Sequence, residues 1–285
     1  MKGRLAVVLL LACGWGGLGP GLGQGWAQDV HVLLTTLLSN EQGASAHRGR
    51  YTYMSEERSD RTGGHLWTER VVETPQGRVR LLLAEDGQPL SPQRAAAERA
   101  RLAQDAAHPE AFAQKEAAQQ NDEQHARAML ALLPNAYLFE APQMDGELVK
   151  IRFRPNPSYQ PQSMEERVLH GMTGTVTIDR PMMRLRELDG HMDSDVSLGF
   201  GPFAVIKAGS NFSTVREHVD GPDWKTESVH TDITGRALML KTLARKQELK
   251  RWGYKRVGDA LSVAEAVTLA EQTGAGVGVD PVKGS

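Results

Sequence analysis

The residues able to do chemistry are few and scattered. The chain has nine histidines and one cysteine in 285 residues. No two histidines lie within four positions of each other, so no short-range metal pair of the kind a helix or hairpin supplies is visible. Neither a G-x-S-x-G nucleophile elbow nor an H-E-x-x-H zinc motif occurs. His191 with Asp193 and Asp195 is the tightest polar cluster, and a polar turn between strands accounts for it better than a metal or acid/base site. The glycines at 274, 276 and 278 follow a helix instead of a strand, which suits a tail and not a phosphate loop. Gly199-Phe200-Gly201-Pro202 reads as a strand-end turn or bulge. Asn211-Phe212-Ser213 matches a glycosylation sequon, which means little behind a bacterial-type signal. The expectation is therefore a non-enzyme with no catalytic residues, no cofactor and no metal. The competing expectation, a hydrolase whose Ser, His and Asp meet only in space, requires a histidine within hydrogen-bond reach of a nucleophile.

Two other groups invite a functional reading. Arg78, Arg80, Lys150, Arg152, Arg154, Arg184 and Arg186 fall on the polar sides of alternating strands. They predict either a solvated outer sheet face or a positive surface for anionic headgroups or an acidic partner. Five methionines, Met164, Met172, Met182, Met183 and Met192, crowd one stretch; they suit a packed core, or a cleft that adapts to variable chains. Net charge is −2, and no block of Lys and Arg is large enough for a nucleic-acid face.

The N-terminus carries Lys2, Arg4 and then the apolar run Leu5 to Ala12. Eight apolar residues are too few to span a bilayer, which takes about 20. A basic start, a short apolar run and small residues predict a secretion signal over 1–27, cleaved after Ala27. Leu10-Leu11-Ala12-Cys13 also resembles a lipobox, which predicts a signal over 1–12, a lipidated Cys13 and a glycine-rich tether over 14–28. Both predict an exported protein. With Cys13 the only cysteine, the mature domain has no intrachain disulfide and its core must hold it.

The remaining pattern predicts one domain over 28–274 and a flexible tail over 275–285. Leu33, Leu34, Leu37 and Leu38 recur at helical spacing behind Asp29, a helix over 30–46. Strands follow over 50–59, 65–74 and 78–84, joined by turns at Pro75-Gln76-Gly77 and Asp86-Gly87. Ser91-Pro92 opens an Ala-rich helical region to Leu133, ended by Pro134. Alternation then returns. Val149, Ile151 and Phe153 interleave with Lys150, Arg152 and Arg154, and Val176 and Ile178 follow, then Val196, Leu198 and Phe200. Strands are also predicted over 211–219, 224–232 and 236–246. Ser262 with Glu265 is a capping box for a last helix. The sum is an α+β fold: a strongly curved, open antiparallel sheet of about ten strands, with helices over 30–46 and 91–133 covering its concave side.

The order of elements, with Leu133-Pro134-Asn135-Ala136-Tyr137-Leu138-Phe139, Val149 to Pro157 and Gly174-Thr175-Val176-Thr177-Ile178-Asp179, resembles the strand rhythm of the outer-membrane lipoprotein carriers and receptors, the Lol-type half-barrels. The resemblance covers about residues 29–250 and lies in element order, without a diagnostic motif. It implies a half-barrel whose hydrophobic cavity, under a helical lid, holds acyl chains of a lipid or acylated protein, in the periplasm or at the periplasmic face of the outer membrane. Transfer between such proteins needs only differential affinity. The residues expected to line that cavity are Val149, Ile151, Phe153, Val176, Ile178, Leu198 and Phe200. The alternative is an envelope interaction or sensor module of the same fold, with a filled interior and an exposed apolar patch.

Overall fold

The computed structural model describes residues 22–46, 49–197, 204–237 and 241–272. Cys13, Leu198, Phe200, the loop at 199–202 and the tail at 275–285 lie outside them, as does most of the expected signal.

The chain begins with α1 (Leu22–Ala46). A meander follows: β1 (Arg50–Arg58), a 3-10 turn (Asp60–Thr62), β2 (Trp67–Glu73), β3 (Arg78–Glu85) and β4 (Gln88–Pro89). Asp86 and Gly87 both take positive φ, 51° and 75°, which builds the tight turn between β3 and β4. Two helices come next, α2 (Pro92–Ala107) and α3 (Pro109–Ala136). Ser91 caps α2, its hydroxyl accepting from the Arg94 amide at 3.2 Å. Then come β5 (Tyr137–Phe139), β6 (Gln143–Asp145), β7 (Leu148–Pro155), α4 (Met164–His170), β8 (Thr173–Asp179) and β9 (Arg184–His191). The series closes with β10 (Val196–Ser197), β11 (Ala204–Ile206), β12 (Asn211–Asp220), β13 (Asp223–Ala237), β14 (Lys241–Val257) and α5 (Val263–Gln272). The capping box at α5 forms as read: the Ser262 hydroxyl and amide both donate to Glu265.

All fourteen strands join one antiparallel sheet in the order β4-β3-β2-β1-β14-β13-β12-β9-β8-β7-β5, with β10, β11 and β6 as side branches. The sheet is not closed. Five of the strands have only two or three residues, which is why alternation finds about ten.

Two boundaries differ from expectation for physical reasons. Gly235 reads as a break between strands, yet it lies inside β13. A Cβ there would stand 2.7 Å from the Val205 carbonyl oxygen, so the glycine admits the close approach of β11. Pro134 reads as a helix stop, yet α3 runs through it to Ala136. The carbonyls at its end are met by Asn156, whose side-chain amide donates to Asn135 at 3.1 Å and whose backbone donates to Ala136 at 3.0 Å.

The helices divide between the two faces of the sheet. Val71 of β2 packs with Tyr51 and Tyr53, whereas its neighbour Val72 packs with Val79, Leu102 of α2 and Val267 of α5. Successive strand residues point to opposite faces. So α2 and α5 cover one face of the β2–β3 end, and α1, the end of α3 and α4 lie over the other face of the sheet. That second, inner face carries Val30, Leu34 and Leu37 of α1 against Val149, Ile151, Val176, Ile178 and Leu185. The expectation that the whole 91–133 segment lies on the concave side is corrected: its α2 portion buries an apolar stripe the outer face of β3 provides.

One inner row is built on glycine. Phe153, Gly174, Gly190 and Phe212 are neighbours in register across β7, β8, β9 and β12. A Cβ on Gly174 would meet Phe153 Cζ at 2.7 Å, and one on Gly190 would meet Phe212 Cε1 at 2.6 Å. The two glycines let the rings lie over them and hollow the floor between. The same Cβ on Gly174 would sit 2.0 Å from the Asp189 carbonyl oxygen, which only a backbone shift relieves. Gly174→Ala is expected to cost about 3 kcal/mol, the upper end for overpacking, read by urea unfolding at unchanged m-value.

Candidate functional site

The inner face holds a cavity of about 1120 Å³, larger than the ~300–1,000 Å³ usual for small-ligand pockets. Its lining has two characters. Toward β7–β12 it is apolar: Phe153, Leu188 and Phe212 from the strands, Leu133 from α3, and Leu169 and Met172 at and just after α4. Toward β2, β1 and β14 it is charged: Glu57, Arg61, Glu69, Glu73 and Arg251. Val229, Leu249, Thr214 and Thr231 line the middle.

Of the seven expected lining residues, Phe153 alone is placed at the cavity. Val149, Ile151, Val176 and Ile178 share its face but lie under α1, each at most 3% exposed. Alternation identifies the face correctly; it carries no information on where a helix seals it. Leu198 and Phe200 are not among the described residues. The methionines also separate. Met172 reaches the cavity, while Met192 joins it in a small core with Ile206. Met183 packs on the α1 cluster and Met164 is exposed.

Arg251 apart, the charged half consists of closed ion clusters. Arg61 stands between two strands and binds both: to Glu69 at 3.0 and 2.7 Å, and to Glu57 at 3.1 and 2.7 Å. Burial pushes the Glu57 carboxyl up, but Arg61 and the Ser59 hydroxyl together hold it below its ordinary value. Lys225 meets Glu73 at 2.7 Å and the Gly49 carbonyl at 3.2 Å, and its ammonium lies 4.6 Å from the centre of the Tyr51 ring. The Tyr51 hydroxyl donates to Asp223 at 2.9 Å, and burial together with that carboxylate pushes its pKa up.

Glu41 continues the stripe of α1 one turn beyond Leu37 and pins the helix to the sheet. It accepts from Arg184 at 2.9 Å, from Arg216 at 2.7 Å and from the Leu185 amide at 3.1 Å. Burial raises its pKa, but the Arg184 hydrogen bond and the charge of Arg216 outweigh that and set it below 4.5. A carboxyl depressed on folding stabilises the fold above its unfolded pKa, and that contribution is lost as pH falls through the folded value. Thermal stability of the wild type is expected to fall below about pH 4.5, and Glu41→Gln is expected to flatten that part of the profile.

The basic residues expected on an outer face mostly pair. Arg184 is buried with Glu41. Arg80 meets Glu116 at 2.9 Å and, like Arg78, lines the cavity. Arg186 meets Glu227 at 3.0 Å, and Lys150 meets Asp145 at 2.7 Å. Arg152 and Arg154 are exposed. Strand alternation separates faces, but an inward face of this sheet is itself half polar.

The described histidines are engaged mostly with backbone and carboxylate groups. One ring nitrogen lies near a hydroxyl among the described residues: His31 Nδ1, 3.4 Å from Thr35 Oγ1 on the exposed side of α1. That hydroxyl donates to the His31 carbonyl. His170 meets the Asn156 carbonyl at 2.9 Å, and His218 meets that of Gly221 at 2.7 Å. His191 and Asp193 are 3.2 Å apart and exposed, whereas Asp195 turns to Lys207 and the Ala208 amide. His65, Glu85 and Asp86 gather at an exposed hairpin end, with donor atoms within 4.8 Å of one another. Exposed groups of this kind form without an ion.

Among the described residues no helix is long and apolar enough to cross a membrane. Comparison with family models, with curated proteins and with solved structures finds no match to this chain.

Proposed function

We propose that the protein binds an amphiphile, a lipid or an acylated protein, by holding its aliphatic chain in the inner cavity, and that it works in the cell envelope as a carrier or binding protein and not by bond chemistry. The observation that carries this reading is the cavity itself. It has about 1120 Å³ of space over an inner face whose β7–β12 half is floored by Phe153, Leu188 and Phe212. Burying an aliphatic chain there gains about 0.8 kcal/mol per CH₂, enough to retain a lipid with no special contact. From β1 to β7 the sheet makes six strand steps. At about 4.8 Å each these trace roughly 29 Å of floor, enough for an extended long acyl chain and its head group. The open antiparallel sheet with helices over its inner face supports this reading, which the Lol-type resemblance suggests. Export by the N-terminal signal, with or without lipid on Cys13, belongs to the same proposal.

An interaction module of the same fold accords less well with an open interior. Among the described residues, the large exposed apolar ones, Val32, Leu138, Met144, Met164 and Trp252, also sit on five different elements.

The test is displacement of a naphthylamine probe whose fluorescence rises in apolar surroundings. Delipidated protein is expected to enhance it, and long-chain fatty acid or lysophospholipid to reverse the enhancement at one equivalent. Absence of enhancement, in protein shown folded by circular dichroism, would reject the proposal.

A further inference from the structure

Three tyrosines cluster on the inner face, and two of them, Tyr53 and Tyr254, line the polar end of the cavity. The Tyr53 ring lies 4.7 Å from that of Tyr254, which in turn is 6.2 Å from Tyr51. Two of the three hydroxyls are used. Tyr51 donates to Asp223 at 2.9 Å, and Tyr254 donates to the Thr226 carbonyl at 2.6 Å. The Tyr53 hydroxyl has no partner, although the residue is only 2% exposed. Arg251 lies over the same ring, its Cζ 5.4 Å from the centre, and bonds the Tyr254 hydroxyl, while its Nε is buried without an acceptor. The nearest carboxylates are already engaged. Glu57 and Glu69 are held by Arg61, and no carboxylate of the described residues lies within 4.0 Å of the Arg251 guanidinium. Both side chains line the cavity.

Buried donors without acceptors are rare in folded proteins, and each calls for an explanation. Here two belong to side chains in contact, the Arg251 guanidinium lying over the Tyr53 ring, at the end of the cavity away from its apolar floor. The geometry points to an anion subsite: Arg251 and the Tyr53 hydroxyl receive the negatively charged oxygen of the ligand's head, a carboxylate or a phosphate, while its chain runs along β14, β13 and β12 toward Phe212. This rests on the amphiphile reading and deepens it, by naming which end of the ligand lies where and what charge that end carries. Guanidinium and phenol are both donors, so an anionic oxygen satisfies both and a neutral alcohol satisfies them poorly. The neighbouring Glu57 and Glu69 carboxylates are neutralised by Arg61, so they oppose such an anion weakly.

The test compares three ligands of equal chain length on the delipidated mature protein, below their micelle concentrations: hexadecanoate, monohexadecyl phosphate and hexadecanol. At least one of the anions is expected to bind roughly ten- to hundredfold tighter than the alcohol, the range of a charge-assisted hydrogen bond. The anion with the larger margin names the source, a fatty carboxylate or a lipid phosphate. Arg251→Met and Tyr53→Phe are each expected to lower affinity for that anion toward that of hexadecanol and leave hexadecanol binding unchanged. Tyr53→Phe removes a hydroxyl that holds nothing else, so it keeps the test valid if Arg251→Met fails to fold. Inorganic phosphate is expected to compete with the anions in millimolar excess and not with hexadecanol. If all three ligands bind alike, or if the variants leave the anion-to-alcohol ratio intact, the subsite is overturned and the two donors belong to an internal water. The amphiphile reading survives that result. If none of the three binds, both fall.

Discussion

Val229→Glu is expected to lower affinity for a long-chain amphiphile by at least about a hundredfold with the fold preserved. Val229 lies mid-floor, in register with Thr214 on one side and Leu249 on the other, and it borders the cavity. It belongs to none of the closed apolar clusters, and it is only half-buried. In the empty protein a carboxylate there keeps its water. A chain laid across it must strip that water, and an effective penalty of several kcal/mol per buried ion corresponds to more than two decades in affinity. Val229→Leu, which keeps the apolar surface, is expected to bind within a few-fold of wild type. Isothermal titration with a single-chain lipid reads both, and unchanged melting temperatures show that the comparison concerns binding. Equal affinity for the glutamate variant would mean that the chain does not run over β13.

Arg61→Met is expected to destabilise the protein by about 3–5 kcal/mol, a large share of the total for a domain of ordinary stability. The guanidinium bridges Glu57 of β1 to Glu69 of β2, and the Glu69 side chain is 4% exposed. Removing the cation leaves Glu57 and Glu69, diagonal neighbours on adjacent strands, without their shared partner. Glu57, which Arg61 holds below its ordinary value, then takes up a proton more readily. The loss is therefore expected to be smaller at pH 5 than at pH 7, a dependence that a mere packing defect would not show. Denaturant unfolding at the two pH values measures it. Glu57→Gln combined with Glu69→Gln in the Arg61→Met background is expected to recover much of the loss.

What was legible in the sequence, and what was not, follows from the range of each interaction. The β7 and β8 strands could be read because Val149, Ile151, Phe153, Val176 and Ile178 alternate strictly against polar neighbours. Ser91-Pro92 and Ser262 with Glu265 were legible because caps are local bonds, three residues long. The charged half of the cavity was not. β1 presents Tyr51, Tyr53, Ser55 and Glu57 inward, a row whose polarity looks like an outer face until β2 and β14 supply its partners. Register shifts between Thr177 and Ile178, and between Thr68 and Glu69, also break the simple parity on which face assignment depends. Arg184 and Leu185, neighbours in sequence, are both buried, Arg184 through its ion pair with Glu41. Which apolar residues line space and which lie under α1 depends on where the helix crosses the strands. Glu41 and its two arginines set that crossing from more than 140 residues apart.

The most direct measurement is native mass spectrometry of the protein produced with its own N-terminus and taken gently from the envelope fraction. The account predicts a 1:1 adduct whose mass is that of a lipid or an acylated peptide. That adduct should be lost on delipidation, restored on incubation with the lipid, and absent in Val229→Glu. A folded chain that carries no adduct when isolated, and acquires none from phospholipid, fatty acid or acylated peptide, would contradict it.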